Sequence, residues 1–238
     1  MKLDILAFGA HPDDVELSAS GTLINHLKMG YKCGIVDLTN GELGTRGTAE
    51  TRKLEAEAAS KILGVQVREN LNMADGFFEN NREHQLEVVR MIRKYQPRII
   101  LCNAVSDRHP DHGRASALVS EAAFLAGLVK VETSDAGVSQ QNWKTKAVYH
   151  YIQDRYTQPD FVVNISDCWE QKLNSIIAYK TQFYQLGSTE PETAISTKEF
   201  LDFLKGRASE FGRPAGFDLA EGFTVERLPG VNDMMELL

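Results

Sequence analysis

Cysteine and long apolar runs are both scarce in this chain of 238 residues, which has three cysteines in all. No apolar run approaches the roughly 18 residues that a membrane-spanning helix needs, and the first one, Ile5 to Ala10, is too short for a signal peptide core. Cys33, Cys102 and Cys168 form no C-x-x-C pair, and two of them lie in apolar, strand-like runs. We therefore expect buried, reduced thiols and a cytoplasmic protein.

Positive charge is also in deficit. The chain carries 26 Lys and Arg against 33 Asp and Glu, which gives a formal net charge of −7. A protein that coats nucleic acid needs a basic face or tail, and docking on an anionic membrane needs the same. The composition therefore argues against both nucleic acid and a membrane surface as partners.

Short apolar runs alternate four times with helical patterns in the first half of the chain. Strands are predicted over residues 3–10, 33–39, 67–73 and 98–103, and helices over residues 15–29, 49–63, 82–95 and 112–128. This alternation predicts an α/β fold, a Rossmann-like parallel sheet with helices on both faces.

The alternation weakens after residue 128. A loop is predicted over residues 131–146, strands over 149–153 and 161–165, and helices over 167–183 and 196–210. The sequence shows no internal repeat, low-complexity tract or linker. We therefore interpret residues 1–238 as a single domain whose C-terminal part elaborates the sheet.

Two clusters of histidine and aspartate follow predicted strands directly. The first strand leads into His11-Pro12-Asp13-Asp14, and the fourth leads into Asp107-Arg108-His109-Pro110-Asp111-His112. In the common doubly wound strand order 3-2-1-4-5, these two strands are neighbours, and ligands bind in the crevice beyond their carboxyl ends. We therefore expect the two clusters to meet.

The residue types in these clusters are those that divalent metals such as Zn²⁺ prefer. His11 and Asp14 lie three residues apart across a turn, and His112, at the start of a helix, can supply a third ligand. Asp13 can contact a metal-bound water molecule instead, and His109 can face the same cavity without ligating. Solvated loop residues or helix caps are the alternative interpretation, in which Asp13 or Asp14 caps the first helix.

Together the two clusters resemble the motifs of the LmbE-like (PIG-L) family of zinc-dependent N-acetylglucosamine deacetylases. The similarity extends through residues 41–48, 51–55 and 72–78 and ends at 220–223, so it covers nearly the whole chain. Within the family, the intervening segments most resemble the deacetylase of bacillithiol biosynthesis. The resemblance implies removal of the N-acetyl group from an N-acetylglucosaminyl conjugate, which gives acetate and a free amino sugar. The implied substrate is N-acetylglucosaminyl malate, with another N-acetylglucosaminyl conjugate as the alternative.

The resemblance also implies which residues hold the metal and activate water. His11, Asp14 and His112 would be the metal ligands, with Zn²⁺ as the cofactor and another divalent metal such as Fe²⁺ as an alternative. Asp13 would be the general base for a metal-activated water molecule. Relatives further imply a homo-oligomer, with a hexamer as one candidate.

The remaining roles implied by the resemblance concern the substrate. His109 would stabilise the oxyanion, with Asp111 tuning or orienting it, and Arg52 and Asp75 would bind the substrate. Many relatives place a tyrosine from the C-terminal part beside the metal. In this chain Phe200 lies near the expected position, so that role stays open.

Two other function classes fit part of the pattern. An iron oxygenase with two histidines and one carboxylate would use the same three ligands, but such enzymes commonly have all-β folds, and Asp13 would have no task. A non-catalytic carbohydrate- or metal-binding module would need neither an open metal position nor a base. Gly41, Gly44 and Gly47 match no phosphate-binding motif, so a mobile loop over the site is favoured there.

Overall fold

A mixed seven-stranded sheet forms the centre of the computed structural model, which describes residues 1–237. The strands, in chain order, are β1 (Ile5–Gly9), β2 (Cys33–Thr39), β3 (Val67–Met73), β4 (Ile99–Cys102), β5 (Ser134–Asp135), β6 (Val138–Ser139), β7 (Ala147–Tyr151), β8 (Phe161–Asn164) and β9 (Ala220–Val225). The sheet order is β3-β2-β1-β4-β7-β9-β8, and β5 and β6 form a separate two-stranded sheet.

Helices cover both faces of this sheet. They are α1 (Asp14–Ser18), α2 (Ser20–Lys28), α3 (Ala49–Leu63), α4 (Arg82–Tyr95), α5 (Pro110–Ala126), α6 (Trp169–Ile177) and α7 (Lys198–Gly212). One apolar core packs α1, α2, α3, α6 and α7 against the sheet, and a second packs α4 and α5. Within residues 1–237, no helix is long and apolar enough to cross a membrane.

The predicted α/β fold is confirmed, with one correction to the sheet. Five strands, in the sheet order β3-β2-β1-β4-β7, run parallel and have the predicted neighbours. β9 pairs antiparallel with both β7 and β8, so the far edge of the sheet is not parallel. No strand was predicted over Ala220–Val225. A Cβ at Gly222 would lie 3.1 Å from the Phe211 ring, so a larger residue here would require the ring to shift.

The predicted helix over residues 15–29 is wrong at one position. Ala19, with φ −140° and ψ 0°, separates α1 from α2. The break exposes the backbone N–H groups of Gly21 and Thr22, which donate to the carboxylate of Glu221 at 2.9 and 2.7 Å. The Glu221 side chain on β9 therefore accepts the hydrogen bonds of two N–H groups that a continuous helix would pair internally. A local sequence pattern does not predict this contact. The predicted helix over 167–183 likewise ends earlier, since α6 stops at Ile177.

A buried ion pair joins β9 to the same helices. Lys172 Nζ lies 2.7 Å from Glu221 Oε1, and both side chains are at least 95% buried. The ammonium group also donates to the carbonyl oxygens of Glu16 and Leu17 at 3.0 and 2.8 Å. Glu221 thus binds a buried cation and two helix N–H groups at once, and it fixes the position of α1.

Replacing Glu221 by Gln should destabilise the protein by about 3 kcal/mol, because it leaves the buried Lys172 ammonium without a counter-charge. Urea unfolding of the wild type and the variant measures the difference. Glu210→Gln is the matched control on the exposed side of α7 and should stay within about 0.5 kcal/mol of the wild type. Equal stability of both variants would contradict the anchoring role of Glu221.

Candidate metal centre and active site

The fold brings the two histidine and aspartate clusters together. β1 and β4 are adjacent parallel strands, so the segments that follow them meet at one edge of the sheet. The His11 ring centroid lies 4.7 Å from that of His109 and 5.7 Å from that of His112. Residues separated by about a hundred positions in the sequence therefore share one site.

The Asp14 carboxylate lies between two of these imidazoles. Its Oδ1 is 3.1 Å from His112 Nε2, and its Oδ2 is 3.6 Å from His11 Nδ1. The same Oδ2 accepts a hydrogen bond from the backbone N–H of His11 at 2.9 Å. The three ligands predicted from the sequence are thus in contact, with the buried Asp14 carboxylate between the two histidines.

Two amide side chains hold Asp14 in this position. Asn103 Nδ2 donates to Asp14 Oδ2 at 3.0 Å, and Gln153 Nε2 donates to Asp14 Oδ1 at 3.1 Å. The amides are themselves locked, since Gln153 Oε1 accepts from Asn103 Nδ2 and from the N–H of Ala104. The sequence analysis missed both residues. The available signal was their position as the last residues of two predicted strands, 98–103 and 149–153.

Asp107 orients the third predicted ligand. Its Oδ2 lies 2.5 Å from His112 Nδ1, and its Oδ1 accepts from the backbone N–H of Arg155 at 2.7 Å. A carboxylate on one imidazole nitrogen leaves the other nitrogen free to ligate, and this arrangement is common around metal-binding histidines. Asp107 belongs to the second sequence cluster, but the sequence analysis gave it no role.

Asp75 and Asp111 both contact the first histidine. His11 Nε2 lies 3.0 Å from Asp75 Oδ1 and 3.4 Å from Asp111 Oδ2. Asp111 also pairs with Arg114 Nη1 at 2.6 Å. Its link to His109 runs through the backbone, because the Asp111 N–H donates to His109 Nδ1 at 3.2 Å. The Asp111 carboxylate therefore orients His11, whereas its backbone leaves His109 Nε2 as the protonated nitrogen.

The charges in this cluster fit a divalent cation. Two groups of side chains have ligand atoms within 4.8 Å of one another: His11 with His109 and His112, and His11 with Asp75 and Asp111. Neither group is the predicted triad of His11, Asp14 and His112, although Asp14 contacts both of its histidines.

The pKa shifts show an excess of buried negative charge. Burial alone would lower the pKa of His11, but hydrogen bonds to Asp111, Asp14 and Asp75 raise it well above its usual value. Burial likewise opposes the shift at His112, whose pKa is raised to about 9 by the charge of Asp14 and the hydrogen bond to Asp107. Carboxylates that stabilise protonated imidazoles would also stabilise a metal ion, and the donor set is one that Zn²⁺ and Fe²⁺ accept.

Asp13 differs from its neighbour in its environment. Burial raises the pKa of Asp13 to about 7, since the Arg52 guanidinium offsets the effect only in part and the Asp14 charge adds to it. Asp13 precedes α1 but makes no side-chain capping bond, so the helix-cap interpretation fails for it. Its backbone has φ 120°, a conformation that costs a non-glycine residue about 1–3 kcal/mol. A carboxyl group whose pKa lies near 7, held in a strained turn, suits proton transfer.

A cavity of about 300 Å³ opens above these groups. Its lining includes Asp13, His109 and the two predicted substrate-binding residues, Arg52 and Asp75. Arg52 is 6% exposed and hydrogen bonds to Gln182, which also lines the cavity. All site residues predicted from the sequence except Asp111 therefore border one cavity, and Asp111 lies behind His11.

The glycine loop packs on Arg52. Gly41 has φ +64°, and a Cβ there would lie 2.1 Å from Arg52 Nη1. A Cβ at Gly44 would likewise lie 2.9 Å from Arg52 Nη2. The loop therefore shields the arginine beside the cavity, and its mobility remains a prediction.

Phe200 lies outside the cavity. Its ring stacks on Phe183 with centroids 6.2 Å apart and also contacts Phe203. The C-terminal part of the chain reaches the cavity through Gln182 and residues 193–195 instead. Within residues 1–237, no tyrosine lines this cavity. The open role of the family tyrosine is therefore not filled at Phe200.

The amino-acid sequence is similar to that of a known deacetylase. It is 31% identical over 237 residues to diacetylchitobiose deacetylase from Thermococcus kodakarensis, with 95% of this chain and 84% of that protein covered. It is 34% identical to the conserved protein TT1542 from Thermus thermophilus, whose crystal structure superposes with a TM-score of 0.84 over 97% of both chains.

The fold by itself does not select a reaction. The crystal structure of GalB, the 4-carboxy-2-hydroxymuconate hydratase from Pseudomonas putida KT2440, has a TM-score of 0.78 at 21% identity and covers 98% of this chain and 99% of its own. The sequence motifs carry more information. Residues 6–123, which include both clusters, match the family model described as PIG-L, GlcNAc-PI de-N-acetylase. With this match and the relative of 31% identity over nearly the full length, the chain belongs to the PIG-L family.

Proposed function

We propose that this protein is a metal-dependent deacetylase that removes the N-acetyl group from a small N-acetylglucosamine conjugate. The observation that carries the proposal is the grouping of Asp13 with His11, Asp14 and His112 in one cavity, which combines a candidate base with a ligand set. Family membership and the diacetylchitobiose deacetylase relative support the same reaction.

His11, Asp14 and His112 would hold the metal, Zn²⁺ or another divalent ion such as Fe²⁺. When bound, such an ion lowers the pKa of a water molecule toward neutrality and polarises the carbonyl that the water attacks. Asp107 keeps His112 Nε2 directed at Asp14, and the amides of Asn103 and Gln153 keep the carboxylate in place.

Asp13 is the proposed general base. In the attack on the acetamide carbonyl, its carboxylate takes a proton from water and returns it to the nitrogen as the C–N bond breaks. Acetate and a free amino group result; the second proton of the attacking water also ends on the amine as ammonium, so atoms and charge balance. His109 is the proposed donor to the carbonyl oxygen, because its Nδ1 accepts a hydrogen bond and its Nε2 carries the proton.

Arg52 and Asp75 are proposed to bind the sugar hydroxyl groups or the acyl-bearing face of the substrate. Both line the cavity, whose volume of about 300 Å³ lies at the small end of ligand sites and suits a conjugate of sugar size. We propose N-acetylglucosaminyl malate as the substrate, on the sequence resemblance to the bacillithiol branch. A cytoplasmic homo-oligomer, with a hexamer as one candidate, belongs to the same proposal.

A substrate panel tests the proposed reaction. Metal-loaded protein should release primary amine and acetate in equal amounts from N-acetylglucosaminyl malate, and more slowly from diacetylchitobiose and free N-acetylglucosamine. Acetate is measured enzymatically and amine by fluorescent labelling. A preference for diacetylchitobiose would agree with the proposed deacetylation but contradict N-acetylglucosaminyl malate as the substrate. No hydrolysis of any of the three, or oxygen consumption in its place, would refute the deacetylase.

The roles of the two adjacent aspartates can be separated by amide substitution. Asp13→Asn should retain metal and lose about 10²–10⁴-fold in kcat, because the base is gone while the ligands remain. Asp14→Asn should lose metal affinity, since an amide brings no negative charge to the cation. Metal content and kcat of both purified variants decide this, with Asp202→Asn on the exposed surface as the control. Turnover close to wild type in metal-loaded Asp13→Asn would refute the base assignment.

A further inference from the structure

A second, much smaller cavity lies behind the active site. Leu17 of α1 lines both this cavity and the active-site cavity. The other walls come from α6, α7, β9 and Ile152, which follows β7, and the volume is about 20 Å³. A cavity of roughly 10–15 Å³ or more on this measure holds one water molecule, so there is room for one water molecule or one monoatomic ion.

Two buried polar atoms with no hydrogen-bond partner belong to residues that line this cavity. They are Ser18 Oγ, on α1, and Arg207 Nη1, on α7, and neither is paired within the part of the chain that the structure describes, residues 1–237. Ser18 is 5% exposed. A buried donor without an acceptor costs about 1–3 kcal/mol, and more when it is charged, so each such group needs an explanation. Two of them at one cavity point to a ligand that accepts hydrogen bonds.

Arg207 brings a positive charge to the wall of this cavity. Within residues 1–237, no carboxylate forms an ion pair with it, although Asp154, Asp107 and Glu221 act on it from further away. Each of these acids already pairs with another group, namely Arg108, His112 and Lys172 in that order. Lys172 adds a second positive charge to the cavity wall. Glu221 is the acidic residue among those that line the cavity, so the lining carries a net positive charge.

We propose that this cavity binds a single monoatomic anion, chloride under cellular conditions, held by Arg207 Nη1 and Ser18 Oγ. The volume and the apolar walls at Leu17, Ile152 and Leu204 exclude polyatomic anions such as acetate or phosphate. The anion would link α7 to α1, the helix that begins at Asp14. It is a structural site, separate from the proposed catalysis.

Bromide identifies the ligand directly, because it replaces chloride and scatters anomalously. Crystals of the full chain soaked in sodium bromide should give an anomalous peak within hydrogen-bonding distance of Arg207 Nη1 and Ser18 Oγ. Electron density for a buried water molecule at that position, with no anomalous signal, would overturn the proposal.

Thermal unfolding tests the same site in solution. At constant ionic strength, replacing sodium gluconate by sodium chloride should raise the Tm of the wild type by about 3 °C for each tenfold rise in chloride above its Kd. Arg207→Met should lose this dependence, because the positive charge that holds the anion is gone.

Two further variants complete the test. Ser18→Ala should weaken the chloride dependence while retaining the charge, and it provides a second readout should Arg207→Met fold poorly. Arg213→Met, at an exposed arginine just after α7, should keep the full chloride dependence. A chloride dependence that is unchanged in Arg207→Met and Ser18→Ala would show a general salt effect and would refute the site.

Discussion

The Asp14 carboxylate is the group on which the rest of the site depends. It lies between His11 and His112, and the amides of Asn103 and Gln153 fix both of its oxygens. A buried carboxylate costs a large desolvation free energy unless it is paired and hydrogen bonded. Here every contact comes from a different strand end or helix start, so the sheet must close in this order for the charge to be stabilised.

The surrounding scaffold is arranged to hold α1, the helix that begins at Asp14. Glu221 binds the N-terminus of α2 and the buried Lys172 ammonium, and Lys172 in turn binds carbonyl groups of α1. The antiparallel strand β9 therefore contributes to the site from a distance. This arrangement explains why the polypeptide after residue 128 does more than complete the sheet.

Sequence patterns were sufficient for the features that depend on local rules. The parallel part of the sheet and the meeting of the two clusters follow from alternating elements and from the doubly wound order. The break at Ala19 could not be predicted, because the Glu221 carboxylate that binds the exposed N–H groups lies about two hundred residues away and no sequence pattern links the two sites. Asn103 and Gln153 escaped for a similar reason: an amide becomes informative only when its partners are known. At Phe200 the sequence position was misleading. It lies near the position expected for the family tyrosine, but its ring packs on Phe183.

The central claim is that the clustered carboxylates and imidazoles hold a metal ion that deacetylation requires. The most direct measurement is acetate release by protein freed of metal with a chelator and then titrated with Zn²⁺. The account predicts negligible activity without metal and a rise that saturates at about one equivalent per chain, as expected for a single catalytic ion. Full activity of the metal-free protein would contradict it.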